Sequence, residues 1–136
     1  MGPEERITAY FTACSHASAD EIASHFTADA VIWDTNVKPF RGAARIGRQW
    51  VRVRERWQGA VWGLDSCVTA ADGASAAIEW WMTGTDPAST RAFTFRGSEH
   101  YRFAGGLIDE IRQYWTFDPD RLDTGLVDYD YEAGSD

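Results

Sequence analysis

The sequence has little of several features that mark whole classes of protein. Its 136 residues include two cysteines, Cys14 and Cys67, and a single lysine, Lys38. Two cysteines form no disulfide framework and offer no metal-ligand spacing. No apolar run approaches the ~20 residues that cross a bilayer, and the overall basic balance that attracts nucleic acids or anionic membranes is missing. We therefore expect a cytoplasmic protein that uses no metal or cofactor and binds neither nucleic acid nor membrane.

The negative charge is concentrated at one end of the chain. Of a formal charge of −8, residues 118–136 carry seven acids and one arginine, which leaves the rest of the chain close to neutral. We predict that residues 1–117 form a single domain and that residues 118–136 form an acidic tail. The tail also contains apolar residues, so we expect it to cover either a cavity mouth or a partner subunit; these residues are Leu122, Leu126, Val127, Tyr129 and Tyr131.

Aromatic residues are abundant. Hydrophobic residues make up 44% of the chain and aromatic residues 14%, with seven tryptophans. This composition is typical of a folded domain. So many tryptophans predict an aromatic-lined interior, an aromatic interface, or both.

Periodicity predicts three helices in the first half of the chain. Pro3, followed by two acids, is a favourable helix start, and this helix is expected to end near Ser18. A short second helix follows, with Phe26 on its buried side. Helical periodicity returns from Ala43 to about Trp57.

The remaining segments predict strands. The run "AVIWD" ends a first strand at Asp34, and residues 35–42 read as a loop. Beyond Gln58, four long strands are separated by three short connections. The order predicts an α+β domain with helices over one face of a mostly antiparallel sheet. Because both faces of these strands carry apolar residues, we expect the uncovered face to form a homodimer.

Three stretches resemble the nuclear transport factor 2-like superfamily, which includes ketosteroid isomerase and the SnoaL-like polyketide cyclases. They are "ADEIASHFTADAVIWD", "PFRGAARI" and "FRGSEHYRFAGGLIDEIRQYW", and the likeness covers roughly residues 5–117. The resemblance implies a cone-shaped fold with three N-terminal helices over a curved sheet. It leaves the activity open, since this fold hosts isomerases, cyclases, hydrolases, dehydratases and non-catalytic modules.

The resemblance to ketosteroid isomerase extends to individual residues. In that family a tyrosine on the first helix lies 24 residues before a general-base aspartate, and Tyr10 lies 24 residues before Asp34. The family's second oxyanion donor is a protonated aspartic acid, and Glu99 stands at that position. The resemblance thus implies Asp34 as base and Tyr10 and Glu99 as donors. Glu99 departs from the pattern by one extra methylene.

These residue types suit one kind of chemistry. Moving a proton beside a carbonyl needs a base at the carbon and donors at the developing enolate oxygen. We therefore expect an isomerase, cyclase or dehydratase that acts on a hydrophobic, carbonyl-bearing small molecule, in bacterial secondary metabolism. The expected substrate-binding residues are Trp50, Trp80, Met82, His100, Tyr101, Phe103, Gln113 and Trp115.

Each catalytic candidate also has a structural interpretation. Asp34 could cap a turn, Tyr10 could be a core aromatic residue, and Glu99 could pair with Arg96 or Arg112 on adjoining strands. At the level of the whole protein, two alternatives stay open. A non-catalytic binder would use the same cavity, whereas a protein-interaction module would have a filled interior and an arginine paired with Asp34.

Overall fold

The structure, a computed structural model, describes residues 1–132 and contains three helices and six strands in this part of the chain. Asp136, the last acid of the predicted tail, lies outside the described residues. In chain order the elements are α1 (Pro3–His16), α2 (Ala19–Ala23), β1 (Phe26–Asp34), β2 (Phe40–Arg41), α3 (Ala43–Arg56), β3 (Gln58–Thr69), β4 (Ser75–Thr85), β5 (Ala92–Ala104) and β6 (Leu107–Trp115).

The helices begin where the sequence predicts and end slightly earlier. Pro3 is the first residue of α1. The Ser18 hydroxyl accepts a 3.2 Å hydrogen bond from the backbone N–H of Glu21 and so caps α2. The prediction that Phe26 belongs to this helix is wrong, because Phe26 pairs with Ile108 of β6 as the first residue of β1. A distant strand partner therefore overrides the local helical pattern.

The sheet has the order β2-β1-β6-β5-β4-β3. All neighbouring pairs are antiparallel except β1 and β6, which run parallel. The predicted α+β class and mostly antiparallel sheet are confirmed; the cone shape stays a prediction. One strand was missed, because Phe40 and Arg41 pair with β1 as the short strand β2 instead of lying in a loop.

The two faces of the sheet differ. Helix α1 contacts β3 and β4, and α3 contacts β1 and β3, so the helices cover one face, the inner face. Along β5, Glu99 and Tyr101 are buried while His100 and Arg102 are exposed, as strand alternation requires. The other face, the outer face, exposes two aromatic side chains, Trp33 at 40% and Tyr114 at 50%. The homodimer through this face stays a prediction.

The tail runs beside the first residues of β5. Strand β6 ends opposite Gly97, and beyond that point the backbone N–H of Thr94 donates to the carbonyl of Leu122 at 2.7 Å. The Arg96 guanidinium carbon then lies 3.7 Å from the ring centroid of Tyr131. These contacts hold residues 122–131 against the sheet. The predicted covering of a cavity mouth or partner subunit stays a prediction.

The described residues include no helix that is both long and apolar enough to span a membrane.

Candidate active site

A cavity of about 310 Å³ lies between the inner face, α1 and α3. This volume falls at the lower end of the range of small-molecule sites. The three predicted catalytic residues, Tyr10, Asp34 and Glu99, all line it. So do five of the predicted binding residues, namely Trp50, Trp80, Met82, Gln113 and Trp115. The structure therefore brings most of the predicted set to one place, and the catalytic roles stay predictions.

Strand register places the polar groups of the cavity in one row. Asp34 of β1 lies opposite Gln113 of β6, and Gln113 lies opposite Glu99 of β5. Adjacent strands are about 4.8 Å apart. Strand β6 lies between β1, which carries Asp34, and β5, which carries Glu99. A neighbouring row, Trp80, Gly97 and Trp115, supplies the aromatic wall.

Asp34 is held by three hydrogen bonds. Its Oδ2 accepts from the Gln113 side-chain amide and, at 3.1 Å, from the Trp115 indole N–H. Its Oδ1 accepts from the backbone N–H of Asn36 at 2.6 Å, so the turn-capping interpretation is also correct. A carboxylate offers about four lone-pair positions. Three are occupied by these donors, which leaves the open position on Oδ1.

Glu99 is a buried acid, and the side chain that contacts its carboxyl group is neutral. It is 4% exposed, and its Oε1 accepts a 2.8 Å hydrogen bond from the Tyr101 hydroxyl. Burial, with a smaller contribution from the Asp34 charge, raises the pKa of Glu99 to about 8, although the Tyr101 hydrogen bond acts in the opposite direction. At neutral pH the group is therefore predominantly a protonated carboxylic acid and a hydrogen-bond donor.

The ion-pair interpretation of Glu99 is wrong. Arg96 pairs with Asp65 at 3.1 Å, and Arg112 pairs with Glu110 at 2.8 Å. Arg96 and Arg112 alternate with the inward-facing residues of their strands, so they point to the outer face. Neither supplies a charge to the cavity.

Tyr10 is a second protonated donor. It is 1% exposed, and its ring meets that of Phe26 edge-on with centroids 5.0 Å apart. Burial, followed by the nearby Cys14 and Glu99, raises the pKa of Tyr10 well above its usual value. The phenol therefore keeps its proton throughout the physiological range.

Gly97 makes room for the two indoles of the aromatic wall. A Cβ atom at this position would lie 2.5 Å from the Tyr114 carbonyl oxygen and 2.8 Å from atoms of both Trp80 and Trp115. Its absence lets these rings approach to 6.1 Å between centroids. Sequence reasoning missed Gly97, although a glycine inside a strand pattern is a signal for close approach.

Three predicted binding residues lie outside the cavity lining. His100 is exposed on the outer face, with its ring 5.9 Å from that of Tyr114, because it alternates with Glu99. Tyr101 is fully buried and holds Glu99, and Phe103 stacks on Tyr101 at 5.9 Å. Phe117, which was not predicted, lines the cavity just beyond β6.

The interaction-module alternative does not fit these observations. It predicted a filled interior and an arginine paired with Asp34. The structure has a cavity instead, and the donors to Asp34 are Gln113, Trp115 and the Asn36 backbone.

Comparison with known proteins agrees with this architecture. Residues 7–111 match the model of the SnoaL-like domain family. No protein with a curated description matches the sequence.

Several solved structures share the fold. A protein of unknown function with a cystatin-like fold from Methylobium petroleophilum is 30% identical, with 96% of this chain and 87% of that chain covered and a TM-score of 0.71. A hypothetical protein with a ketosteroid isomerase-like fold from Catenulispora acidiphila, in complex with trimethylamine, is 19% identical (86% and 88% covered, TM-score 0.76). SalBIII, an epoxide hydrolase/cyclase-like enzyme with a role in pyran ring formation in salinomycin, is 19% identical (84% and 90% covered, TM-score 0.71).

Proposed function

This chain belongs to the SnoaL-like domain family, and we propose that it is an acid–base enzyme acting on a hydrophobic small molecule that carries a carbonyl group. The reaction would be an isomerisation, a cyclisation or a dehydration. One observation carries the proposal: a carboxylate, Asp34, and a protonated carboxylic acid, Glu99, line the same aromatic cavity. Two carboxyl groups with separate roles suit acid–base catalysis, and ketosteroid isomerase is an established case of this arrangement.

The geometry of the cavity supports the following proton chemistry. The open lone pair on Asp34 Oδ1 takes a proton from the carbon beside the substrate carbonyl, and the C–H electron pair moves into the enolate. The enolate oxygen then accepts hydrogen bonds from the Glu99 carboxyl and the Tyr10 phenol. Because the cavity walls are apolar, these donors act more strongly than they would in water.

The fate of the enolate decides the product. Return of the proton to a different carbon gives an isomer, attack on a second carbonyl closes a ring, and loss of a β-hydroxyl gives a dehydrated product. SalBIII is described as epoxide hydrolase/cyclase-like. A protonated Glu99 can also donate a hydrogen bond to an epoxide oxygen. Ring closure through an oxygen atom is therefore a further reaction to test.

The acid role belongs to Glu99 and not to Asp34. Tyr101 occupies Oε1 of Glu99, so its proton is placed on Oε2. A group with a pKa of about 8 is mostly protonated at pH 7 and donates readily. Asp34 takes the role of base, because its Oδ1 keeps an open lone pair that can accept a proton.

The experiment that tests the proposal is deuterium exchange at the α-carbon of aromatic ketones, followed by NMR in deuterium oxide. The wild-type protein is expected to exchange the α-proton of at least one ketone in a panel. Asp34→Asn should lower that rate roughly 10²- to 10⁴-fold, the usual contribution of a general base. Asp29→Asn is the matched control, because Asp29 lies on the same strand and is exposed.

Two outcomes would contradict the proposal. Exchange at the wild-type rate in Asp34→Asn would remove Asp34 from the mechanism. Tight binding of a ketone by both proteins with no exchange in either would favour the non-catalytic binder.

We also propose that two copies associate through the outer face. Trp33 and Tyr114 are large aromatic side chains exposed there, and aromatic residues are enriched where protein surfaces associate. Sedimentation equilibrium should show a dimer that Tyr114→Glu weakens. A monomer at every concentration would contradict this assembly.

A further inference from the structure

We propose that Gln113 is a positioning residue whose amide stands between Asp34 and Glu99 and keeps the two carboxyl groups from sharing one proton. The proposal rests on the proposed function, because it explains how the same cavity maintains a base and an acid. Sequence reasoning placed Gln113 among the residues that bind substrate. Its contacts assign it a different role.

The position of Gln113 is set by the backbone. Strand β6 runs between β1 and β5, and Gln113 is paired with Asp34 on one side and Glu99 on the other. Its side chain is 6% exposed and lines the cavity. The amide N–H donates to Asp34 Oδ2. The glutamine thus lies on the strand between the two that carry the carboxyl groups, with its side chain on their side of the sheet.

The chemical consequence depends on the amide being neutral. Two carboxyl groups in one apolar site share a proton, and their titrations then belong to the pair. A lysine or arginine at this position would prevent sharing but would also favour the ionised form of Glu99. An amide donates to the carboxylate without adding charge and cannot itself be titrated, so it separates the two roles and leaves Glu99 neutral.

The hydrogen bond also selects the working oxygen of Asp34. Gln113 and Trp115 together fill both lone-pair positions of Oδ2. The remaining position is on Oδ1, beside the Asn36 backbone donor. Loss of Gln113 would leave Oδ2 with one donor and an open position of its own.

Other titratable groups near Glu99 do not replace this function. Tyr10 and Cys14 face it from α1, Tyr101 from its own strand and Asp34 from β1. The pKa values of Tyr10, Cys14 and Tyr101 are all raised by burial. These three groups therefore stay neutral while Glu99 titrates, and among residues 1–132 Asp34 is the carboxyl group that acts on it.

The test is a titration of the Glu99 carboxyl carbon by ¹³C NMR in the full-length protein, which needs no substrate. Gln113→Met keeps the length of the side chain and removes the donor. The matched control is Gln49→Met, because Gln49 lines the same cavity from α3. Gln113→Leu is a second variant in case the methionine protein does not fold.

In the wild type and in Gln49→Met, Glu99 should titrate in one step near the pKa of about 8. In Gln113→Met the same carbon should titrate in two steps at least about one pH unit apart, the signature of coupled groups. A single step, unchanged from the wild type, in a folded Gln113→Met protein would overturn the proposal. Absence of ketone exchange in the wild type would contradict the proposed function and leave this titration result standing.

Discussion

Strands β5 and β6 each carry one glutamate, and the two side chains lie on opposite faces of the sheet. Their surroundings differ. Glu110, on the outer face, accepts hydrogen bonds from Arg102 at 2.6 Å and Arg112 at 2.8 Å. Glu99, on the inner face, is bound by the Tyr101 hydroxyl instead. The outer carboxylate is thus ion-paired, and the inner carboxyl group is kept neutral.

The difference is not caused by a shortage of arginine. Arg102 directly follows Tyr101 in the sequence, and Arg112 directly precedes Gln113. Strand alternation turns both guanidinium groups away from the cavity, although Arg112 lies one residue from Gln113 and Arg102 three residues from Glu99. These two arginines therefore place positive charge on the outer face of the sheet and not on the inner face. This arrangement is what makes a neutral acid and a charged base possible in the same cavity.

The largest expected effect is on the pH dependence of stability. The pKa of Glu99 rises from 4.5 to about 8 on folding, so the folded protein binds a proton that the unfolded chain loses between these values. This contribution is fully present below the unfolded pKa and is lost as the pH rises to about 8. The free energy of unfolding should fall across that window by as much as roughly 5 kcal/mol, and Glu99→Gln should remove most of the decline.

Chemical denaturation at a series of pH values measures this decline. The control is Glu110→Gln, which removes a carboxylate from the outer face and should leave the decline in place. If Glu99→Gln and Glu110→Gln changed the pH dependence equally, the contrast between the two faces would be lost.

A smaller effect is expected from Gly97→Ala, which disturbs the aromatic wall beside the inner row. The new methyl group would meet the Tyr114 carbonyl and both indoles, so the protein should lose about 1–3 kcal/mol of stability. The shift of Trp115 should also weaken its hydrogen bond to Asp34. Urea denaturation and tryptophan fluorescence check the two effects.

Ser98→Ala is the control for this prediction, since Ser98 adjoins Gly97 on the same strand and its side chain belongs to the opposite face. Equal losses of stability in the two variants would show that the wall does not require the glycine.

The smallest effect is expected on the outer face. Arg112→Ala removes one of the two ion pairs of Glu110, while Arg102 keeps the other. Partly exposed ion pairs contribute about 0.2–1 kcal/mol and are screened by salt. Thermal unfolding at low and high ionic strength should therefore show a loss that shrinks as salt is added. A loss that salt does not change would mean that Arg112 acts through packing.

The comparison also explains which parts of the site could be predicted from the sequence. The resemblance to ketosteroid isomerase pointed to Tyr10, Asp34 and Glu99, and all three residues do line one cavity. The amide contact of Gln113 depends on the parallel pairing of β1 with β6, whose paired residues near Asp34 are 79 positions apart. No local sequence pattern predicts the register of β1 against β6.

The errors have different causes. Phe26 was assigned to a helix because its strand partner, Ile108, lies far along the chain. His100 was included with the binding residues although alternation with Glu99 places it on the outer face. The missed short strand β2 has two residues, too few to show any periodicity.

The infrared difference spectrum between the wild-type protein and Glu99→Gln at about pH 6 reports directly whether Glu99 is a protonated acid. At this pH an ordinary glutamate is ionised. We predict the absorption of a protonated carboxyl group in the wild type, lost as the pH rises through the Glu99 pKa of about 8. A spectrum that shows only an ionised carboxylate at about pH 6 would contradict the proposed acid role of Glu99, because the cavity would then hold no protonated carboxyl group.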